Sequence, residues 1–89
     1  MQDIQVLALQ ENIFSVTVKA KTTTVHQVTV QPDYAQKLTS GNISTALLVQ
    51  KSFIFLLKRE PNTSILRHFD LSIIERYFPE YVREISLLM

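Results

Sequence analysis

The sequence contains no cysteine and no tryptophan, and it has a single glycine among its 89 residues. Without cysteine there is no disulfide framework, no thiolate chemistry and no cysteine-rich metal site. With one glycine there is no glycine-rich loop of the kind that holds the phosphate groups of nucleotides. These absences exclude cysteine-based sites and phosphate loops from the functions worth considering.

Neither sign of charge is in excess. Nine lysines and arginines against eight aspartates and glutamates give a formal net charge of +1. This balance does not indicate nucleic acid or an anionic membrane as a partner. The first residues include Asp3 and lack a basic start followed by an apolar run, so we expect no signal peptide and a cytoplasmic protein. The length predicts one domain over residues 1–89.

What the sequence does have is a strongly apolar stretch at residues 44–60, which predicts a long helix. At about 100° per residue, its apolar side chains fall on nearly every side of the helix. The stretch is too short to span a bilayer, which takes about 20 apolar residues, and Lys51 interrupts it. Asn42 or Ser44 is expected to cap this helix, and Pro61 prevents its continuation.

This helix needs more cover than a small chain readily supplies. A domain of this size buries only about 60–65% of its unfolded surface, yet 46% of the residues are hydrophobic. We therefore expect a homodimer, in which a second copy completes the burial. The alternative is a monomer that wraps the helix in its own sheet and C-terminal helices. The residues predicted for the core or the dimer interface are Leu47, Val49, Phe53, Leu56 and Leu57.

Residues 3–31 are predicted to form antiparallel β-structure. Residues 13–20 and 26–31 both alternate apolar and polar side chains, and pairing their apolar faces sets Val18 opposite Val28. The connection at residues 21–25 has no Gly, Asn or Asp for a tight turn, so one long bent strand is the alternative. A further strand at residues 4–9 is predicted to pair through a turn at residues 11–12.

That first hairpin is predicted to place Leu9 against Phe14 and Leu7 against Val16. After the sheet, a short helix at residues 33–39 starts behind a proline and ends at Gly41. The long helix follows, and then one helical turn is predicted at residues 64–69.

The last part of the chain is predicted to be helical as well. Ser72 and Glu75 form an S-x-x-E capping box, so a helix should begin near Ser72 and stop before Pro79, which can start a final segment. The predicted fold class is therefore α+β, with a small antiparallel β-sheet in the N-terminal third followed by about four helical segments packed on one face.

Few residues are candidates for chemistry. His26 has the apolar parity of its strand and is predicted to be a half-buried packing histidine; a ligand or a base is the alternative. His68 is predicted to lie in a solvated turn, with Asp70 helping the next helix to start; a base with an orienting carboxylate is the alternative. No G-x-S-x-G element and no metal-ligand spacing is present. We therefore predict no enzyme activity, no catalytic residue, no cofactor, no metal site and no small-molecule substrate.

Residues 28–57 resemble the ribbon-helix-helix pattern of small dimeric bacterial repressors and antitoxins. An alternating strand leads into a short helix, a glycine-containing turn follows, and a longer apolar helix comes next. In that family, outward strand side chains enter the DNA major groove as a two-stranded ribbon. The resemblance implies DNA contacts by Gln27, Thr29 and Gln31, with a phosphate held by backbone groups near Ser44.

The C-terminal half resembles a family of small uncharacterised bacterial proteins. The likeness is in REP at 59–61, SIL at 64–66, FDL at 69–71 and RYFPEY at 76–81. It implies a bacterial, stand-alone chain and brings no activity or site with it. The function predicted first is a non-enzymatic, homodimeric binding or assembly module. The alternative is a ribbon-helix-helix-like DNA-binding regulator or antitoxin.

Overall fold

Three strands form an antiparallel meander at the start of the chain. The structure is a computed structural model that describes residues 3–88. Strands β1 (Asp3–Gln10), β2 (Ile13–Lys19) and β3 (Thr23–Thr29) pair in sequence order. A short fourth strand, β4 (His68–Asp70), comes from the C-terminal half and pairs parallel to β3. The sheet order is therefore β1-β2-β3-β4, and β1 and β4 are its two edges.

The helices follow the meander and pack on the sheet. They are α1 (Pro32–Thr39), α2 (Thr45–Leu57), α3 (Ile73–Tyr77) and α4 (Tyr81–Leu88), with a 3₁₀ turn at Asn62–Ser64. The predicted α+β class is confirmed. The sheet differs from the prediction because it contains the parallel strand β4. In residues 3–88 no helix has the length and apolar character that a membrane crossing requires.

The first hairpin has a different register from the predicted one. Ala8 rather than Leu9 lies opposite Phe14, and Leu7 lies opposite Ser15 rather than an inward valine. An irregularity between Ala8 and Gln10 shifts the register by one residue. Because a one-residue slip turns every side chain to the other face, Leu7 points outward and is 65% exposed, and Leu9, at the irregularity, is 50% exposed.

The second hairpin keeps the predicted faces but not the predicted pairing. Val28 lies opposite Phe14 instead of Val18, and Val16 lies opposite His26. The strand begins at Thr23, earlier than predicted, because the threonines of this segment extend β3. The connection is thus reduced to residues 20–22, and the alternative of one long bent strand is wrong.

Helix α1 and the start of α2 follow the sequence prediction. Pro32 occupies the first turn of α1, and Ser40 and Gly41 end it with positive φ angles of 53° and 76°. The Ser44 side chain caps α2 by accepting a hydrogen bond from the backbone N–H of Leu47 at 3.1 Å. Helix α2 itself ends three residues before the predicted limit of residue 60.

Helix α2 supplies the centre of the core. Phe53 is fully buried, and its ring centroid lies 5.3 Å from that of His26 and 6.1 Å from that of Phe69. Val49 and Leu56 are buried, as predicted. Leu47 and Leu57 are only half-buried, so residues 3–88 cover one side of α2 incompletely.

The segment after α2 is not the predicted helical turn at residues 64–69. Phe69 lies opposite Val28 in β4, and the Leu71 N–H donates to the Thr29 carbonyl at 2.9 Å. Three residues in parallel pairing with a strand about 40 positions earlier give no local periodicity. The sequence therefore contained no indication of this strand.

The predicted capping box at the start of α3 is also wrong. The Ser72 side chain makes no capping bond; its N–H and hydroxyl both donate to Asp70 Oδ1, at 3.0 and 2.8 Å. Glu75 instead accepts a hydrogen bond of 2.6 Å from the Tyr34 hydroxyl, which joins α3 to α1. Asp70 thus helps α3 to start, although it lies in a strand and not in the predicted turn.

One hydrogen bond and two ion pairs hold α4 against α2. The hydroxyls of Ser52 and Tyr81 form a buried hydrogen bond. The Arg59 guanidinium, just beyond α2, forms ion pairs with Glu80 at 3.1 Å and Glu84 at 3.0 Å. The same guanidinium lies 3.6 Å from the centre of the Phe55 ring. The C-terminal helix is therefore tied to α2 by polar and charged contacts.

Candidate functional site

An apolar groove of about 310 Å³ opens between β4, α3 and the C-terminal end of α2. We call it the β4 groove. Its walls are mainly apolar side chains from α2, β4, α3 and the segments that connect them, among them Leu56, Ile65, Phe69, Ile73, Ile74 and Phe78. The polar groups that line it belong to Glu60, Ser64 and Tyr77. A concave apolar surface with a few polar groups is the usual form of a binding site.

The order of elements in the C-terminal half produces this groove. Helix α2 ends at Leu57, and the 3₁₀ turn that follows Pro61 carries the chain back toward the sheet. The parallel strand β4 then sends Phe69 inward, and α3 starts almost at once and covers the opposite wall. β4 is only three residues long and is an edge strand. Within residues 3–88 no further strand pairs with its free side.

Two large apolar residues that line the groove remain exposed. Leu66 is 49% exposed and Tyr77 is 68% exposed. The predicted helical turn would have turned Leu66 inward, so the structure places it differently. Exposed apolar side chains that adjoin a concave surface indicate contact with a partner more strongly than scattered ones do.

Glu60 is the one charged residue in the groove lining. Partial burial raises the pKa of the Glu60 carboxyl above its ordinary value. Among the ion pairs formed within residues 3–88, none includes Glu60. The groove therefore offers an apolar surface with one negative group that forms no ion pair within the described part of the chain.

A second candidate surface lies at the opposite edge of the sheet. It consists of the free edge of β1 and the half-buried side of α2, which carries Leu47, Ile54 and Leu57. We call it the β1–α2 side. Ile4 of β1 meets Ile54 and Leu57 at a depression of about 220 Å³. Two of the five residues predicted for the core or dimer interface, Leu47 and Leu57, lie here.

The residues predicted to contact DNA do not form one surface. Gln27 and Thr29 lie on the outer face of β3, opposite Ser15 and Ile13 respectively. Ser44 lies in the helical layer, and its side chain already caps α2. Since the helices cover the inner face of the sheet, the sheet separates Ser44 from the outward strand residues.

The position of β3 also differs from the arrangement in ribbon-helix-helix proteins. β3 is internal and pairs with β2 on one side and β4 on the other. A two-stranded ribbon between protomers needs a strand with a free edge, so β3 would have to lose one neighbour. The Gln31 amide donates to Asp70 Oδ2 at 3.5 Å, which places Gln31 beside β4. DNA binding by these residues stays a prediction.

His26 is a packing residue, as predicted. It is fully buried and not half-buried as predicted, and its Nδ1–H donates to the Leu66 carbonyl at 2.8 Å. Its Nε2 accepts from the Thr24 hydroxyl at 2.8 Å, and the Asn62 amide donates to the same hydroxyl oxygen. This network fixes the neutral ring and holds the backbone of Leu66 at the groove. Burial is the main cause that lowers the pKa of His26.

His68 is exposed on the outer face of β4. In the described part of the chain, no group of three or more His, Asp or Glu residues is arranged to hold a metal ion. The absence of an enzymatic site remains a prediction from the sequence.

The β4 groove was not predicted from the sequence. The groove depends on β4, and β4 has no local pattern that would reveal it. The one usable indication was Glu60, a carboxylate beside a helix-ending proline in a strongly apolar region. The chain matches no protein-family model, no curated protein and no solved structure.

Proposed function

We propose that this protein is a non-enzymatic assembly module that forms a homodimer through its β1–α2 side. The observation that supports the proposal is the free edge of β1 beside the half-buried residues Leu47, Ile54 and Leu57. The bacterial and cytoplasmic setting expected from the sequence belongs to the same proposal.

The β1 edge lacks most features that natural proteins use to prevent strand pairing. Edge strands are commonly short, or they carry lysine, proline or inward charges. β1 is eight residues long, contains neither Lys nor Pro, and has Asp3 at its end as its one charged residue. Its irregularity lies near the other end, between Ala8 and Gln10. The central part of the strand is therefore available for pairing.

One symmetry operation covers both parts of the β1–α2 side. A two-fold axis perpendicular to the sheet and next to β1 pairs this strand antiparallel with β1 of a second copy. The two four-stranded sheets then form one continuous sheet, with both helical layers on the same face. The two α2 helices meet across the axis, so Ile54 and Leu57 of each copy gain the cover they lack.

The test is the mass of the protein in solution. Sedimentation equilibrium of the wild type should give twice the mass of one chain. Ile54→Asp should give a folded monomer, since an aspartate cannot be buried against an apolar partner without a large cost. Leu87→Asp, at an exposed position of α4, is the matched control and should leave the dimer intact.

A second variant separates loss of the dimer from loss of the fold. Leu7→Lys places an edge-protecting lysine on the outer face of β1, where Leu7 is already exposed. It should weaken the dimer while circular dichroism shows an unchanged fold. A compact wild-type monomer at high micromolar concentration would contradict the proposal.

The ribbon-helix-helix-like regulator remains the alternative, with less support because β3 is an internal strand. It predicts DNA binding that weakens with added salt and with Gln27→Ala or Thr29→Ala. Absence of binding to mixed-sequence duplex DNA at low salt would remove this alternative.

A further inference from the structure

We infer that the β4 groove binds an extended peptide of another protein, which pairs with β4, places an apolar side chain in the groove and sets a lysine or arginine beside Glu60. This site is distinct from the β1–α2 side and lies at the other edge of the sheet.

The size and surroundings of the groove favour a peptide over a small molecule. Its volume of about 310 Å³ lies at the lower end of the range of about 300–1,000 Å³ found for small-molecule pockets. It is large enough for one large apolar side chain. Leu66 and Tyr77 remain exposed although they line it, so the apolar surface continues beyond the space a small ligand would fill. An occupant that covers them must extend beyond the groove.

The backbone of β4 provides the second part of the site. The Arg67 carbonyl accepts from the Gln27 N–H at 2.7 Å, and the Leu71 N–H donates to the Thr29 carbonyl at 2.9 Å. Because strand residues alternate in direction, the backbone groups of His68 and Asp70 face the free edge. A strand added there gains main-chain hydrogen bonds, and every second side chain points to the groove side.

The charge of Glu60 decides which peptide fits best. The carboxylate lies in an apolar lining and has no ion pair within residues 3–88. A basic side chain two positions from the apolar anchor lies on the same face of an extended peptide and can reach the groove with it. The occupant is therefore an alternating segment with an apolar and a basic residue at positions i and i+2, in either order.

The experiment uses a small set of blocked pentapeptides as probes. They have the form acetyl-Thr-X-Thr-Z-Thr-amide, where one of X and Z is Leu or Phe and the other is Lys or Arg. Each is titrated into the ¹⁵N-labelled full chain while the amide spectrum is recorded. We expect chemical-shift changes concentrated in residues 60–78, together with saturation in the millimolar range or below for at least one probe.

Two variants test the chemistry of recognition. Glu60→Gln should weaken the binding of the basic probes about threefold to tenfold. It should not change the binding of a matched probe that has Leu-Thr-Gln in place of Leu-Thr-Lys. Leu66→Ser should weaken all probes, because it removes an exposed apolar lining residue of the groove. Glu11→Gln and Leu87→Ser, both at exposed positions away from the groove, are the matched controls and should bind as the wild type does.

Three results would overturn the inference. The first is the absence of shifts at the groove with every probe. The second is binding that Glu60→Gln does not change. The third is equal binding by isopentylammonium, the side-chain fragment without a peptide backbone, which would assign the groove to a free amine. If the groove variants unfold, titrations of the wild type and of the control variants still decide the outcome. They compare the basic probes with probes in which Glu replaces Lys.

Discussion

The hydroxyl oxygens of Ser52 and Tyr81 lie 2.6 Å apart in the buried contact between α2 and α4. The Ser52 hydroxyl also donates to the Leu48 carbonyl at 2.8 Å. Its single proton is thereby used, so the Tyr81 hydroxyl must be the donor to Ser52. Burial raises the pKa of Tyr81, which keeps it protonated at all ordinary pH values.

This direction of donation predicts unequal effects at the two positions. Ser52→Ala leaves the buried Tyr81 hydroxyl without its acceptor and should cost about 1–3 kcal/mol in the free energy of unfolding. Tyr81→Phe removes the donor alone and should cost about 1 kcal/mol. The double variant should be more stable than Ser52→Ala, because no orphaned hydroxyl remains. Urea unfolding of the four proteins measures the cycle, and a less stable double variant would contradict the assignment.

The buried His26 predicts a loss of stability in acid. The pKa of His26 in the folded chain lies below the ordinary histidine value of 6.5, so the unfolded chain binds the proton more readily. The stabilising effect of neutral His26 is complete above pH 6.5 and declines as the pH falls toward the lowered folded-state pKa. One extra proton taken up on unfolding gives a slope of up to about 1.4 kcal/mol per pH unit.

The measurement is the free energy of unfolding in urea at several pH values from about 7.5 to about 5, a range that spans the ordinary histidine pKa. His26→Gln should be less stable than the wild type at neutral pH, with a smaller decline on acidification. His68→Gln, at an exposed position, should keep the wild-type decline. If both variants decline alike, His26 does not cause the effect.

A charge at the centre of the core should abolish the fold. Phe53→Asp buries an unpaired carboxylate between the sheet and the helices, at a cost of several kcal/mol, comparable to the whole stability of a small domain. Lys51→Glu, on the less covered side of the same helix, should cost less than about 1 kcal/mol. Circular dichroism at 25 °C distinguishes the two; a folded Phe53→Asp protein would mean that α2 is not at the centre.

The contact of Asp70 with Ser72 predicts how α3 is stabilised. Asp70→Ala removes the acceptor of both Ser72 donors and should destabilise the protein by about 0.5–2 kcal/mol. Asp70→Asn keeps an oxygen acceptor and should recover most of the loss. Thermal unfolding of the two variants tests this. Glu75→Gln is the control for the predicted capping box. Because the Glu75 carboxylate accepts from Tyr34 and does not cap α3, this variant should not reproduce the effect of Asp70→Ala.

Local periodicity predicted the faces of β2 and β3 and the central place of α2 in the core. The alternation in β2 and β3 and the all-round apolar pattern of α2 reflect burial that each segment experiences directly, so Val16, Val28 and Phe53 lie in the core. Register could not be predicted, since it depends on one irregular residue and on turn length. The irregularity around Leu9 alone reversed the expected orientation of the first strand.

The β4 groove could not be predicted from the sequence, for a different reason. Its edge is β4, whose identity as a strand comes from pairing with β3 and not from its own residues. Phe69 fits a helical turn as well as a strand when its partner is unknown. The incomplete burial of Leu47 and Leu57 depends likewise on how α2 lies beside β1, which no helical pattern specifies.

The parallel pairing of β4 with β3 has a consequence for synthesis of the chain. Thr29 leaves the ribosome well before Asp70, its partner position in the sheet. At about 5–20 residues per second, the interval is roughly 2 to 8 s. During that time the nascent meander exposes an unfinished strand that any neighbouring polypeptide can extend. Productive folding in the cell therefore depends on keeping the free edge of β3 unpaired until β4 emerges.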